Sequence, residues 1–272
     1  MKYVPQNLLP SIIEISENAA DEILKFYNVD YDVEVKEDLT PVTSADLAAH
    51  NLINNALIKL TPDIPVLSEE SSSIPFEERK KWETYWLVDP LDGTREFIKK
   101  NGEFSVNIAL ISNHKPVLGV IFIPVTRTCY YASSGHGAYK RTKSEITKIS
   151  VKETQRDSIV IAGSRSYRDS SLDTFLKNIG NYEIISMGSS IKSCLVAEGK
   201  VDIYPRLGPT SEWDTAAAQC IVEESGGAIT DTSLQPLSYN TKDILLNPHF
   251  LVFADNSVNW PGFISDEKKE NQ

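Results

Sequence analysis

The segment WLVDPLDGTREFI, residues 86–98, brings acidic side chains directly to the end of an apolar run. Its first three residues are apolar and typical of a buried β-strand. Asp89 follows without a polar spacer, and Asp92 comes three positions later. A solvated acidic turn would explain either residue alone, but it is a poor explanation of two acids directly after a strongly apolar strand. The segment therefore predicts a functional turn at a strand end.

The turn in this segment combines the groups that a hard cation requires. Pro90 fixes one backbone angle and Gly93 frees another. We expect this rigid turn to direct both carboxylates and the carbonyl oxygen of Leu91 towards one point. Carboxylate and carbonyl oxygens are the ligands that magnesium prefers. Without a cation the clustered charges would repel one another, unless one of the acids kept its proton.

Two further segments place acids where they could join this turn. LSEES ends a short apolar run with Glu69 and Glu70. SEWDTAAAQCIVEESGG places Asp214 in the first turn of a predicted helix, where Asp is also an ordinary helix cap. A cap explains Asp214 alone, but it does not explain three acidic segments in one chain. Together the segments predict a carboxylate cluster.

Composition restricts the classes of partner. The chain has 272 residues, 41% of them hydrophobic and 24% charged, with a formal net charge of −11. This acidity argues against a nucleic acid polymer, since binding the phosphate backbone requires a basic surface. A small phosphorylated ligand stays open because a bound metal ion can invert the local sign of charge. No obligate protein partner is evident in the sequence.

Cysteine usage and hydropathy favour a cytoplasmic protein. Cys129, Cys194 and Cys220 are far apart and show no CxxC spacing, which argues against a disulfide framework or a structural zinc site. The N-terminal residues lack the apolar stretch of a signal peptide, and no window approaches the ~18 apolar residues of a membrane span. A peripheral association at the inner face of the cell membrane stays open, although a purely electrostatic one conflicts with the net charge.

The order of predicted elements is α+β in the first half and α/β in the second. Apolar spacing predicts helices over residues 11–27 and 46–60, and FSVNIALIS, PVLGVIFIP and TCYYASS predict strands at hairpin spacing. After residue 155, strands alternate with helices. We expect one compact catalytic unit of two lobes. Residues 1–154 would form an α+β lobe with most metal ligands, and residues 155–272 an α/β lobe with Asp214 and the substrate contacts.

Four motifs in a fixed order give the chain a family resemblance. TPVTSAD, LSEES, WLVDPLDGT and WDTAAAQCIVEESGG resemble the motifs of the inositol monophosphatase superfamily of metal-dependent, lithium-sensitive phosphatases. The extension REFIKKNGEFSVNIALI and the segment GSSIKSCLVAEGKVDIYPRLGPTSEWDTAAA are similar to one branch, the 3'(2'),5'-bisphosphate nucleotidases of the CysQ type. The resemblance runs from about residue 8 to residue 254.

The resemblance implies both a fold and a reaction. The fold would be an α/β (α+β) sugar-phosphatase architecture with layers in the order α/β/α/β/α. The reaction would be hydrolysis of the 3'-phosphate of adenosine 3',5'-bisphosphate to give AMP and phosphate, with the sulfated nucleotide as a second substrate. Its role would be to recycle a by-product of sulfate assimilation.

The resemblance also implies a site with two or three magnesium ions. Glu69 would ligate the first ion, and Asp89 would bridge two. The carbonyl of Leu91 would help to hold one ion, while Asp92 and Asp214 would hold the second. The remaining members of the site would be Thr94 with Asp46 to orient the attacking water, and Glu70 as an outer contact or the support of a third ion.

Substrate contacts follow from the same resemblance. The amides of Gly93 and Thr94 would receive phosphate oxygens, and further contacts would come from Gly188, Ser189, Ser190, Lys192, Arg206 and Asp214. For Lys192 the alternative is a surface lysine beside a helix cap. Lys36 could lie near the metal-binding loop, but a solvated lysine explains it equally well. Tyr167 stands where the branch usually carries a histidine. Since a phenol can donate a hydrogen bond and stack on a base but cannot become cationic near neutral pH, the role of this position stays open.

Two other functions are compatible with parts of the pattern. An inositol-phosphate or sugar-phosphate phosphatase would use the same metal site and differ only in the substrate lobe. A non-catalytic metal or nucleotide binder would be expected to lack a ligand or the water-orienting pair. All of these residues are present, which favours the enzyme.

Overall fold

The computed structural model describes residues 3–27, 33–35, 41–152, 158–164 and 170–264. The helices are α1 (Pro5–Tyr27), α2 (Ser44–Leu60), α3 (Phe76–Arg79), α4 (Thr94–Ile98), α5 (Ser170–Ile179), α6 (Ile191–Ala197) and α7 (Glu212–Glu224), with 3-10 turns at Glu69–Ser71 and Trp260–Phe263. The strands are β1 (Val33–Val35), β2 (Pro41–Thr43), β3 (Val66–Ser68), β4 (Thr84–Asp92), β5 (Ser105–Ser112), β6 (Lys115–Ile123), β7 (Thr128–Ser133), β8 (Ala138–Arg141), β9 (Ile146–Ile149), β10 (Ile159–Ser164), β11 (Tyr182–Met187), β12 (Ile203–Arg206), β13 (Ala228–Asp231) and β14 (Phe250–Phe253).

Two large sheets organise the molecule. The first has seven strands in the order β3-β4-β5-β6-β7-β8-β9, antiparallel apart from the parallel pair β3 and β4. The second has five strands in the order β11-β10-β12-β14-β13 and is parallel around β10. β1 and β2 form a separate antiparallel pair. The predicted hairpins through β5, β6 and β7 are confirmed.

Alternating side chains on the seven-stranded sheet divide the core between two faces. On β4, Trp86 and Val88 pack with α1 and α2, whereas Tyr85 and Leu87 face α6 and α7. A third cluster joins the five-stranded sheet to Phe175 of α5. The layers are therefore α1 and α2, the large sheet, α6 and α7, the small sheet, and α5. This order confirms the predicted α/β/α/β/α fold.

The central helix α7 lies very close to the large sheet. A Cβ atom added at Gly119 of β6 would stand 2.3 Å from the carbonyl oxygen of Ala217, so only glycine permits this approach. The small residues Ala216, Ala217 and Ala218 are buried on the same helix. The close packing brings the first turn of α7 to the end of β4, where the acidic segments meet.

Three predicted boundaries differ from the structure. α1 begins at Pro5 rather than Ser11: Pro5 occupies the first helical position, which tolerates proline, and Pro10 lies inside the helix, where one backbone hydrogen bond is lost. α2 begins at Ser44, two residues before the predicted start. β4 does not end before the acids: it continues to Asp92, with a shift of register between Asp89 and Asp92. This irregularity accommodates Pro90, which has no N–H for the ladder.

Some predictions concern residues outside the described ranges. These are Lys36, Tyr167, the boundary between residues 154 and 155, and the C-terminal tail from residue 265. Within the described ranges, none of the helices has the length and apolarity needed to span a bilayer.

Candidate active site

Three carboxylates converge where β4 meets α7. Oxygen atoms of Asp89, Asp92 and Asp214 all lie within 4.8 Å of one another. β4 supplies the first two residues and the first turn of α7 supplies the third. Sequence reasoning placed these acids in one cluster, and the structure brings them together. Such a cluster offers several oxygen ligands to a hard cation.

Asp89 is the most deeply buried member of the cluster. Its side chain is 1% exposed, and one carboxylate oxygen accepts the N–H of Leu91 at 3.1 Å. Burial raises the pKa of Asp89 well above its usual range, and the neighbouring carboxylates raise it further, in the order Glu69, Asp92, Asp214 and Asp46. A group with this environment favours either a proton or a cation beside it.

Asp214 is held in place by the start of its own helix. Its carboxylate accepts the N–H of Ser211 at 2.8 Å, as part of a reciprocal capping box at the N-terminus of α7. Burial raises the pKa of Asp214 to about 8, with further increases from Asp92 and Glu69. The hydrogen bonds from Ser211 and Asp89 act in the opposite direction. Asp214 therefore acts both as a cap and as a member of the cluster, so the two interpretations of this residue are compatible.

Asp92 is held by residues from two separate segments, the start of α6 and strand β5. Oδ2 accepts the N–H of Ser190 at 2.6 Å and Nδ2 of Asn107 at 3.2 Å, and it also contacts the Ser190 hydroxyl. Asn107 also donates to the Ser190 hydroxyl at 2.8 Å. Sequence reasoning missed Asn107, although a signal was present: it is the single amide in the apolar strand FSVNIALIS. Asn107 is 1% exposed, so its polar group must be satisfied inside the protein.

The other predicted acids lie around this cluster at different depths. Glu69 begins the 3-10 turn after β3 and lines the cavity beside Asp92 and Asp214. Asp46, in the first turn of α2, is 2% exposed and close enough to raise the pKa of Asp89. Glu70 lies near His50 instead. Burial lowers the pKa of His50, and the charge of Glu70 acts more weakly to raise it. Glu70 is not among the residues that line the cavity.

The turn after Asp92 starts a short helix, as predicted. α4 begins at Thr94, and Gly93 precedes it with φ of 93°. A Cβ atom at Gly93 would also lie 3.2 Å from the carbonyl oxygen of Glu103, so both conformation and space favour glycine. The hydroxyl of Thr94 donates to the carbonyl oxygen of Leu91 at 3.4 Å. Thr94 thus contacts one predicted ligand directly.

A cavity of about 500 Å³ opens above the carboxylates. The sequence-predicted residues that line it are Glu69, Asp92, Gly93, Thr94, Gly188, Ser189, Ser190, Lys192, Arg206 and Asp214. Sequence reasoning missed the aromatic residues Tyr204, Trp213 and Phe250 on its wall. The cavity thus combines carboxylates on its floor, the three cationic side chains of Arg95, Lys192 and Arg206, and aromatic walls.

Lys192 provides a buried positive charge beside the carboxylates. Its side chain is 4% exposed, Nζ donates to the carbonyl oxygen of Ser189 at 2.5 Å, and it lies 5.1 Å from the centre of the Tyr204 ring. Burial lowers the pKa of Lys192 to about 8, although Asp92 acts to raise it. The alternative of a solvated surface lysine is therefore wrong.

The segment before Lys192 is fixed by close packing against α4 and the residues between α4 and β5. A Cβ atom at Gly188 would stand 2.6 Å from the carbonyl oxygen of Glu103 and 2.6 Å from Cγ of Glu96. The N–H of Gly188 donates to the Glu103 carboxylate at 2.9 Å. Arg206 stands across the cavity, and its guanidinium donates to the carbonyl oxygen of Pro209 at 2.9 Å. Lys192 and Arg206 thus line the same cavity.

The family is decided by a match over nearly the whole chain. A model described as the inositol monophosphatase family matches residues 5–263. The chain belongs to this family. The resemblance predicted from the four motifs is thereby confirmed.

Within the inositol monophosphatase family, similar curated proteins share one name. The 3'(2'),5'-bisphosphate nucleotidase CysQ of Salmonella typhimurium is 47% identical over 90% of this chain and 99% of its own. The protein of that name from Haemophilus influenzae is 42% identical over 96% of this chain and 97% of its own. Among solved structures, CysQ from Bacteroides thetaiotaomicron has a TM-score of 0.80 at 40% identity, covering 93% of this chain and 98% of that one. The predicted branch is confirmed.

Proposed function

We propose that this member of the inositol monophosphatase family is a metal-dependent 3'(2'),5'-bisphosphate nucleotidase. It removes the 3'-phosphate of adenosine 3',5'-bisphosphate and releases AMP and phosphate. The observation that carries this proposal is a carboxylate cluster at the base of a cavity that also holds Lys192 and Arg206. Its relatives of 42–47% identity that bear the nucleotidase name support the choice of substrate.

The donor set fits magnesium. It consists of carboxylate oxygens and the Leu91 carbonyl, the hard ligands that Mg²⁺ prefers. Burial raises the pKa values of Asp89 and Asp214, and the neighbouring carboxylates raise them further, so a bound cation would stabilise the charged forms. Asp89, Asp92, Asp214, Glu69 and the Leu91 carbonyl would hold two ions, and Glu70 would support a third from further away. When bound, the ions supply a water of lowered pKa and neutralise charge that develops on the phosphate.

The protein residues position the reactants. Thr94, held against the Leu91 carbonyl, and the buried Asp46 orient the attacking water. Ser190 and Asn107 fix the direction of the Asp92 carboxylate. This arrangement places the reacting groups before the chemical step, which lowers its entropic cost.

The cations on the cavity wall select a substrate with more than one phosphate. Lys192 provides a point charge, whereas Arg206 provides a planar fork that matches phosphate oxygens. Gly93 and Thr94 offer backbone amides at the start of α4, and Gly188, Ser189 and Ser190 line the same cavity, with Ser189 packed next to Gly93. The aromatic residues Tyr204 and Trp213 give the wall an apolar surface suited to a nucleoside. Tyr167 would be a further contact of the nucleotide.

Comparison of two substrates tests this proposal. Phosphate release is measured with Mg²⁺ at equal concentrations of adenosine 3',5'-bisphosphate and inositol 1-phosphate, with and without lithium. We expect fast release from the nucleotide, slow release from inositol phosphate, and inhibition by lithium. Preference for inositol phosphate would retain the metal site but reject the nucleotide. Tight nucleotide binding without phosphate release would instead indicate a binder.

A further inference from the structure

Residues 245–247, from the second half of the chain, lie against the first turn of α7. The N–H of Glu212 donates to the carbonyl oxygen of Leu245 at 2.8 Å. Asn247 donates through its side chain to the carbonyl oxygen of Ser211 at 2.6 Å, and its N–H donates to the carbonyl oxygen of Thr210 at 2.8 Å. The turn that carries Asp214 is therefore fixed from outside the helix.

Arg79 joins the part of the chain just before this segment to the connection between β3 and β4. Arg79 ends α3, between the turn that carries Glu69 and the strand that carries Asp89. One guanidinium nitrogen donates to Oδ1 of Asn240 at 2.5 Å and to the carbonyl oxygen of Lys242 at 3.1 Å. In return, Nδ2 of Asn240 donates to the carbonyl oxygen of Arg79 at 2.6 Å. This reciprocal pair joins positions 161 residues apart.

Glu212 completes the connection, two positions before Asp214. Its carboxylate accepts the N–H of Asn240 at 2.7 Å. Glu212, Asn240 and Arg79 are each 1% exposed. Buried hydrogen bonds of this kind impose a definite geometry, because breaking one leaves a polar group without a partner. We refer to Arg79, Asn240 and Glu212 as the buried clamp.

We propose that the buried clamp sets the position of Asp214 relative to the acids on the β3–β4 side, and thereby the affinity of the site for its metal. This inference rests on the metal-dependent function proposed above. None of the three residues lines the catalytic cavity, so they would act through their neighbours as positioning residues. The Asp89 and Asp92 carboxylates come from the large sheet and Asp214 from α7. The clamp adds a connection to those made by the packing of α7 on the large sheet and by Ser190, which contacts both Asp92 and Asp214.

Two substitutions break the clamp at different points. Asn240 has φ of 56°, which glycine adopts without strain, so Asn240→Gly removes the side-chain contacts alone. Glu212→Ala removes the acceptor of the Asn240 N–H. Loss of outer contacts to metal ligands typically costs about 10-fold to 100-fold in metal affinity. We therefore expect each variant to bind Mg²⁺ at least about tenfold more weakly than the parent, as measured by isothermal titration calorimetry without substrate.

Two controls separate positioning from a general loss of stability. Glu212→Gln keeps an oxygen acceptor for the Asn240 N–H and should retain an affinity close to that of the parent. Ser225 lies at the opposite end of α7, where its hydroxyl donates to the carbonyl oxygen of Val222 at 2.7 Å. Ser225→Ala should lower the melting temperature without changing Mg²⁺ affinity. Where Asn240→Gly does not fold, Glu212→Ala carries the same test.

The outcomes distinguish this inference from the proposed function. Parental Mg²⁺ affinity in both clamp variants would overturn the inference, whatever happens to their melting temperatures. An equal loss of affinity in Ser225→Ala would also overturn it. A parent that binds Mg²⁺ but does not hydrolyse the nucleotide would reject the proposed function alone, because the ratio of affinities would still measure the clamp.

Discussion

The backbone N–H of Ser190 donates to Oδ2 of Asp92 at 2.6 Å, joining residues 98 positions apart. The Ser190 hydroxyl contacts the same carboxylate and also donates to the carbonyl oxygen of Asp214 at 2.9 Å. Ser190, at the start of α6, therefore contacts two members of the carboxylate cluster, Asp92 on β4 and Asp214 on α7. The cavity wall that would receive the substrate is therefore hydrogen-bonded to the carboxylates that would hold the metal.

Asp89→Asn should abolish turnover while leaving the metal-free protein at least as stable. The substitution removes one charge from a buried acidic cluster, so it relieves repulsion in the absence of metal. Melting temperatures with and without Mg²⁺ would check this, since Mg²⁺ should stabilise the parent and not the variant. Glu145→Gln, at an exposed acid between β8 and β9, serves as the control. Full activity in Asp89→Asn would contradict the assignment of Asp89 as a ligand.

Metal affinity should increase with pH between about pH 6 and pH 9. The pKa of Asp214 is raised to about 8 and that of Asp89 is also raised, so a proton must leave before a cation binds. The same shifts affect stability. A carboxyl whose pKa is raised on folding stabilises the metal-free protein at low pH, and this contribution is lost as pH rises from 3.8 to about 8. Calorimetry in buffers of different ionisation enthalpy would measure the released protons, and a release of zero would exclude this linkage.

Thr94→Ala should reduce kcat more than it weakens metal binding. The Thr94 hydroxyl contacts the Leu91 carbonyl and lines the cavity, but it is not one of the clustered carboxylates. Loss of one positioned hydrogen bond to a reacting group corresponds to roughly tenfold or more in kcat. Steady-state kinetics over a range of Mg²⁺ concentrations would separate the two effects. Thr94→Ser, which keeps the hydroxyl, should recover most of the rate.

We expect kcat/KM to fall above about pH 8 because of Lys192. Below its pKa of about 8 the side chain is cationic and attracts the substrate, and above it the side chain is neutral. Lys192→Met should raise KM by about tenfold or more and remove this alkaline fall, because the titrating group is gone. The profile of kcat/KM reports the free enzyme, so it is the measurement to compare. An unchanged KM in Lys192→Met would remove Lys192 from the substrate site.

Local patterns predicted many of the helices and strands and the acidic segments of the site, whereas the layered order of the fold followed from the family resemblance. Apolar runs that alternate with turns predicted β5, β6 and β7, and acids directly after an apolar strand predicted the meeting of Asp89 and Asp92. The assignment of Asp214 required the family resemblance, since its local pattern is that of a helix cap. The sequence was informative here because hard cations prefer oxygen ligands, and carboxylates beside a strand end can be recognised from local sequence.

Features that depend on distant contacts could not be predicted. Asn107 stands out in sequence as the single amide of an apolar strand, but its partner Ser190, at the start of α6, is known only from the structure. The buried clamp joins Arg79 to Asn240 across 161 residues, with no local pattern at either end. The continuation of β4 through Pro90 is another case, since a neighbouring strand and a shift of register compensate for the missing N–H.

The most direct test of the central claim is the formation of AMP from adenosine 3',5'-bisphosphate by protein stripped of metal with EDTA and then titrated with Mg²⁺. The account predicts no product before Mg²⁺ is added, then equal amounts of AMP and phosphate, and neither product from Asp89→Asn. Hydrolysis by the stripped protein would contradict the role of the carboxylate cluster. Formation of adenosine 3'-phosphate in place of AMP would contradict the orientation of the nucleotide.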